Sequence, residues 1–127
     1  MIKDISDPIY SHQVFLVVGE PAKNIQKHYD KQGVEPCDVV SQIGSCSDAS
    51  GYCLIENGLI YIVINKPLDW HDTVVHECAH AVFEILDGSG FIVDDGSKQE
   101  PFCYLQGYYF RQCVKHIEPH IQKMGSW

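Results

Sequence analysis

Apolar positions along the chain fall into short runs broken by turn-forming residues. The first, Gln13-Val14-Phe15-Leu16-Val17-Val18, is β-branched and closed by Gly19, which predicts a buried strand. A helix is expected next: Pro21 suits a first helical turn, Ala22, Ile25 and Tyr29 recur at helical spacing, and Gly33 stands where helices commonly stop. Residues 35–50 are rich in Ser, Gly, Asp and Cys, with Val39, Val40 and Ile43 as the apolar anchors, and read as mostly irregular. Two further runs, 51–56 and 59–64, flank Asn57-Gly58. That dipeptide tolerates positive φ and predicts an antiparallel hairpin.

After Lys66-Pro67-Leu68, the Asp69 side chain can accept the free amides of a new helix. This helix runs through Val74, Val75, Ala79, Val82, Phe83 and Leu86 to a stop at Gly88. Its apolar residues cover most of its circumference, so it is expected to be packed on more than one side. Residues 88–96 read as a loop, and a last helix fits about residues 101–117. The fold class expected is α+β, a small and mostly antiparallel sheet packed against two or three helices with the 69–88 helix central. Residues 1–127 are read as one domain, because 127 residues with 45% hydrophobic content support one core.

The charge balance narrows the partners. Seventeen acidic against nine basic residues give a net charge of −8, the wrong sign for neutralising phosphates, so neither nucleic acid nor an anionic membrane is expected to be bound. No secretory signal and no membrane span is visible, which points to the cytosol. In that compartment Cys37, Cys46, Cys53, Cys78, Cys103 and Cys113 are expected to be thiols, most of them small buried apolar residues.

The chemistry is concentrated in His76-Glu77-Cys78-Ala79-His80. Histidines four apart on a helix project from one face, as a tetrahedral metal requires, and zinc is the ion expected. Glu77 follows the first ligand, where its carboxylate can take a proton from a water on the metal without being a ligand itself. Chance supplies H-E-x-x-H at about one position in some tens of thousands. Here it also falls inside an apolar helix, where three ionisable side chains are costly to bury without a metal or partners.

Followed after a loop by Glu100 in Gln99-Glu100-Pro101-Phe102-Cys103-Tyr104-Leu105, the motif resembles small phage-encoded zincin metallopeptidases and, more distantly, ImmA/IrrE-like peptidases. The resemblance covers about residues 59–113, and the N-terminal third only in the order of its elements. It implies His76, His80 and Glu100 as zinc ligands and Glu77 as general base. Pro101 departs from the pattern, where a small helix former is more usual. A residue before proline is pushed out of the α region, so Glu100 is expected at the helix cap instead of inside its first turn. Ser97-Lys98-Gln99-Glu100 also fits a capping box, which would leave Glu100 a purely structural role and make Asp94 and Asp95 the reserve ligands.

Tyr104 lies one turn beyond Glu100 and could donate to the oxyanion of a hydrated peptide, with Tyr108 and Tyr109 competing for that role and core packing the ordinary fate of each. His12, His28, His71, His116 and His120 are read as lacking a partner at ligand spacing, hence as surface or hydrogen-bonded histidines. The function expected is zinc-dependent hydrolysis of a protein or peptide substrate, with zinc held between the last two helices and the substrate along an edge strand of the 51–64 hairpin. The alternatives are a non-catalytic phage structural or inhibitory protein stabilised by zinc, and an interaction module without metal. The setting implied is the cytoplasm of a phage-infected bacterium.

Overall fold

The apolar runs become the strands of one sheet in a computed structural model that describes residues 1–10, 12–33, 48–56, 58–90 and 99–124. Strands β1 (Ile2–Asp4), β2 (Gln13–Val18), β3 (Gly51–Glu56) and β4 (Leu59–Ile64) lie in the order β1-β2-β4-β3. The two outer pairings, β1 with β2 and β3 with β4, are antiparallel, and the hairpin register sets Gly51 opposite Ile64 and Glu56 opposite Leu59. The central pairing is parallel, β2 with β4 from Gln13 opposite Leu59 to Val18 opposite Ile64, which leaves two of the three pairings antiparallel, as expected of a mostly antiparallel sheet. The sheet is therefore mixed. A parallel neighbour requires a crossover, and helix α1 (Pro21–Gln32) forms part of the connection leaving β2.

Alternation along β2 and β4 sends side chains to two separate cores. Val14, Leu16, Val18, Ile60, Ile62 and Ile64 face helices α2 (Trp70–Gly88) and α3 (Gln99–Met124). Phe15, Val17, Tyr61 and Val63 face the other way, onto Ile25 and Tyr29 of α1, joined there by Tyr52 and Leu54. Both faces of the central pair are covered, which is why these strands are continuously apolar. The architecture is α+β, with three helices among the described residues. No helix there is long and apolar enough to cross a membrane.

Helix ends follow the sequence in part. Gly33 closes α1 in the left-handed conformation at φ 67°, where glycine carries no Cβ penalty, and its amide donates to the Tyr29 and Asp30 carbonyls. Gly88 is the last residue of α2. Asp69 precedes α2, but its side chain makes no capping bond. Its φ of 54° departs from the extended geometry that aims a capping side chain at the helix amides, and its backbone carbonyl accepts from Asp72 and Thr73 instead. Helix α3 runs past the expected end to Met124, with Pro119 inside it.

Helix α3 is tied down by its middle. The buried Tyr109 hydroxyl donates to Asp7 Oδ1 at 2.6 Å and accepts the Asp7 amide at 3.2 Å, while the Tyr108 hydroxyl donates to the Ser6 carbonyl. Across the molecule, α2 lies against the start of β3 with no space for a methyl group. A Cβ on Gly51 would stand 2.4 Å from Thr73 Cγ2 and 2.6 Å from the Val63 carbonyl oxygen. Because one neighbour is backbone, Gly51→Ala has to displace α2 or β4. The expected loss is about 1–3 kcal/mol, the usual range for overpacking, read from denaturant unfolding of the variant beside wild type.

Candidate metal centre

Helix α2 buries two of its sides and leaves the third open. Trp70, Val74, Cys78, Ala81, Val82, Ile85 and Leu86 enter the core shared with the sheet and α3. On the α3 flank, Gln106 Nε2 donates to the Val75 carbonyl at 2.9 Å, Phe83 meets Phe102 with ring centroids 4.9 Å apart, and Cys78 Sγ lies 3.8 Å from Cys113 Sγ. Contacts that pair later residues of α2 with earlier residues of α3 make the two helices antiparallel. The remaining ridge carries His76 and His80, both exposed, one turn apart.

The two imidazoles point at one spot. Their Nε2 atoms are 3.3 Å apart. Two nitrogens bound at about 2.0–2.1 Å to one tetrahedral zinc are separated by about 3.3–3.4 Å, so the observed spacing fits that ion without rearrangement. In the metal-free protein the same distance allows one ring to donate to the other, depending on tautomer. Among the described residues, His76, Glu77 and His80 form the group whose donor atoms converge, all within 4.8 Å of one another.

Glu77 sits beneath the histidines at 5% exposure, on the side of α2 that meets β3. Its Oε1 is 3.7 Å from His76 Nε2, and its buried Oε2 has no hydrogen-bond partner among the described residues. Burial pushes the carboxyl above its ordinary value, and the His76 and His80 imidazoles pull it partly back. Two converging nitrogens fit a bound cation, and the buried carboxylate oxygen beside them fits a group that receives a proton from water held there. Next to it opens a cleft of about 320 Å³ lined by Ser50, Gly51, Asp72, Thr73, His76 and Glu77. Asp72 and Thr73 stand one turn before His76 and Glu77, so helical spacing alone could have flagged them. Ser50 and Gly51 carry no such signal, because the sheet brings them there.

The cleft lies between α2 and the start of β3, whereas the sequence placed the site between the last two helices. Glu100 is exposed and outside the converging group. It is the second residue of α3 and so inside the first turn, not at the cap; Pro101 is accommodated there because the first four amides of a helix have no partner to lose. Ser97, Asp94 and Asp95 lie outside the described residues. Tyr104 is exposed on α3, while Tyr108 and Tyr109 are engaged by Ser6 and Asp7 and do not reach the site.

Cys53, Cys78, Cys103 and Cys113 are free thiols, and Cys37 and Cys46 lie outside the described residues. Burial, with the Glu77 charge next, pushes Cys53 up to about 12, which keeps it protonated and unreactive. His28 bonds the Tyr61 hydroxyl at 2.7 Å, and His71 stacks on Trp70. His116 and His120, read as lacking a partner at ligand spacing, do stand four residues apart on α3. The spacing that revealed the first pair should have revealed the second. The chain has no significant match to any protein-family model, curated protein or solved structure.

Elemental analysis of protein purified without chelator is expected to find close to one zinc per chain, reduced strongly by His76→Ala or His80→Ala. In the chelated protein the raised Glu77 pKa works against folding. The folded state holds this proton more tightly than the unfolded chain, so stability falls as pH rises above 4.5, the ordinary value, and the full penalty is present above the folded pKa. Glu77→Gln removes the penalty. The chelated variant should be more stable than chelated wild type at about pH 7.5, and the difference should shrink at about pH 4, in denaturant unfolding at both pH values.

Proposed function

We propose that this chain is a zinc-dependent metallopeptidase similar to the small phage-encoded zincins, with His76, His80 and Glu100 as ligands and Glu77 as general base. The observation that carries the reading is the 3.3 Å convergence of two Nε2 atoms beside the buried, unpartnered Glu77 oxygen. Zinc held there would supply Lewis acidity, polarising the scissile carbonyl and making a water acidic enough to be deprotonated at neutral pH. Glu77 does the proton work. It accepts a proton from the water as the new C–O bond forms, then delivers it to the amide nitrogen as the C–N bond breaks. A carboxyl raised by burial is the better base, since its affinity for the proton moves toward the operating pH.

The His76 side chain is 70% exposed, which leaves room for water and substrate and favours an open catalytic site over a closed structural one. Strand β3 is one of the two outer strands among the described residues and begins in the cleft, with Gly51 in its wall. A peptide added to that edge by main-chain hydrogen bonds would run past Glu77, so the substrate class is an extended segment of polypeptide. Glu100 must be drawn toward the histidines from the first turn of α3, and Tyr104, one turn on, would then donate to the oxyanion. The setting this resemblance implies is the cytoplasm of a phage-infected bacterium.

In a peptide-library digest, Glu77→Gln is expected to keep its zinc and lose about 10²–10⁴-fold in turnover. Undiminished turnover would remove Glu77 from the mechanism, and a zinc-loaded wild type that cleaves nothing would make the ion structural. Glu100→Ala separates ligand from helix-end residue. A ligand loses most of its zinc affinity with little change in the metal-free protein, whereas a capping residue costs about 1 kcal/mol of stability and leaves zinc binding intact.

A further inference from the structure

The second histidine pair lies in surroundings opposite to the first. His116 and His120 of α3 line a pocket of about 220 Å³ together with Lys115 and Lys123 of the same helix and Lys3 of β1, with Met1 and Pro119 completing the wall. The chain carries a net charge of −8, yet none of the described residues lining this pocket is a carboxylate. None of the three lysines is in an ion pair among the described residues, where the pairs found are Lys23 with Glu20 and His76 with Glu77. Cations near a helix C-terminus ordinarily complement its dipole, which accounts for Lys123 in the last turn of α3. It does not account for Lys115, two turns earlier, or for Lys3, which comes from the sheet.

The cations in this pocket work against one another. The His116 imidazole is held below its ordinary value by burial, then by the charges of Lys115 and Lys3. His120 is lowered by burial, then by the amino terminus and Lys123. A metal ion would add to that repulsion. An anion would reverse it, and the pocket is smaller than the roughly 300–1,000 Å³ of sites for organic ligands, so the occupant is a compact anion. Lysine is a common point-charge partner of phosphate, and protonated imidazoles add donors.

We propose that this pocket binds a phosphate group, free or as a monoester, through the ammonium groups of Lys3, Lys115 and Lys123 with His116 and His120 as further donors. The same chemistry is presented by inorganic phosphate and by a phosphomonoester lipid headgroup. The site is independent of the metal centre.

The test titrates inorganic phosphate into the full chain at low ionic strength while following the histidine ring resonances by NMR. The His116 and His120 signals should move saturably and their pKa values rise, with His76 and His80 unaffected and chloride at equal ionic strength without effect. Lys3→Gln and Lys115→Gln should each weaken binding by roughly twofold to fivefold, the upper part of the range for exposed charge pairs. Cosedimentation with phosphatidic acid vesicles, against phosphatidylcholine alone, assigns the source: lysine-dependent binding to the acidic vesicles marks a headgroup site, and phosphate binding without it marks a free anion. No saturable change at either histidine together with no vesicle binding overturns the proposal. So does binding of unchanged strength in the Lys3→Gln, Lys115→Gln double variant, whose replaced side chains are both exposed and outside the core.

Discussion

Two-sided burial of the β2–β4 pair is the constraint on which the rest of this structure depends. From Val14 to Val18 and from Ile60 to Ile64 every side chain is buried, alternately against α1 and against α2 and α3. A sheet covered on both sides fixes the height and direction of the helices over it, since sliding either layer would open voids in close-packed cores. Helix α2 comes close at Gly51, where the hairpin has no side chain to stand it off. Glu77 is buried as a result. Its place on the helix turns it toward the sheet, and the packing that stabilises the domain imposes the desolvation that tunes this carboxyl.

Most elements were legible because their signals are local. The β2 run, the Pro21 start and Gly33 stop of α1, the hairpin strands about Gly58 and the Gly88 end of α2 each depend on a few consecutive residues. The parallel pairing of β2 with β4 was not legible, because nothing within either strand specifies a neighbour more than forty residues away. Asp69 misled for a different reason. The residue type is a good cap, but the left-handed turn taken by the chain there makes the carbonyl the acceptor. Helix α3 also continues past its expected end at about residue 117, through Pro119 to Met124.

At the candidate site, the spacing of His76 and His80 gave their convergence directly, since helix geometry fixes it. The remainder depends on tertiary placement. Which side of α2 opens to solvent was decided by α3 on one flank and β3 on the other, and no residue near Glu100 could report that its carboxylate would stand apart from the histidines. The two histidine pairs sharpen the point. His76 and His80 have a carboxylate beneath them, while His116 and His120 are ringed by ammonium groups. Identical spacing on two helices thus stands in opposite electrostatic surroundings.

Strand β3 has one further consequence. Among the described residues no further strand pairs with its outer side, where Ile55 is exposed, so another copy of the chain could add there as readily as a peptide. The excess of carboxylates opposes such pairing, since mutual repulsion acts before two edges come within hydrogen-bonding range. The acidic composition therefore acts as a colloidal safeguard for that strand, one that weakens as added salt screens it.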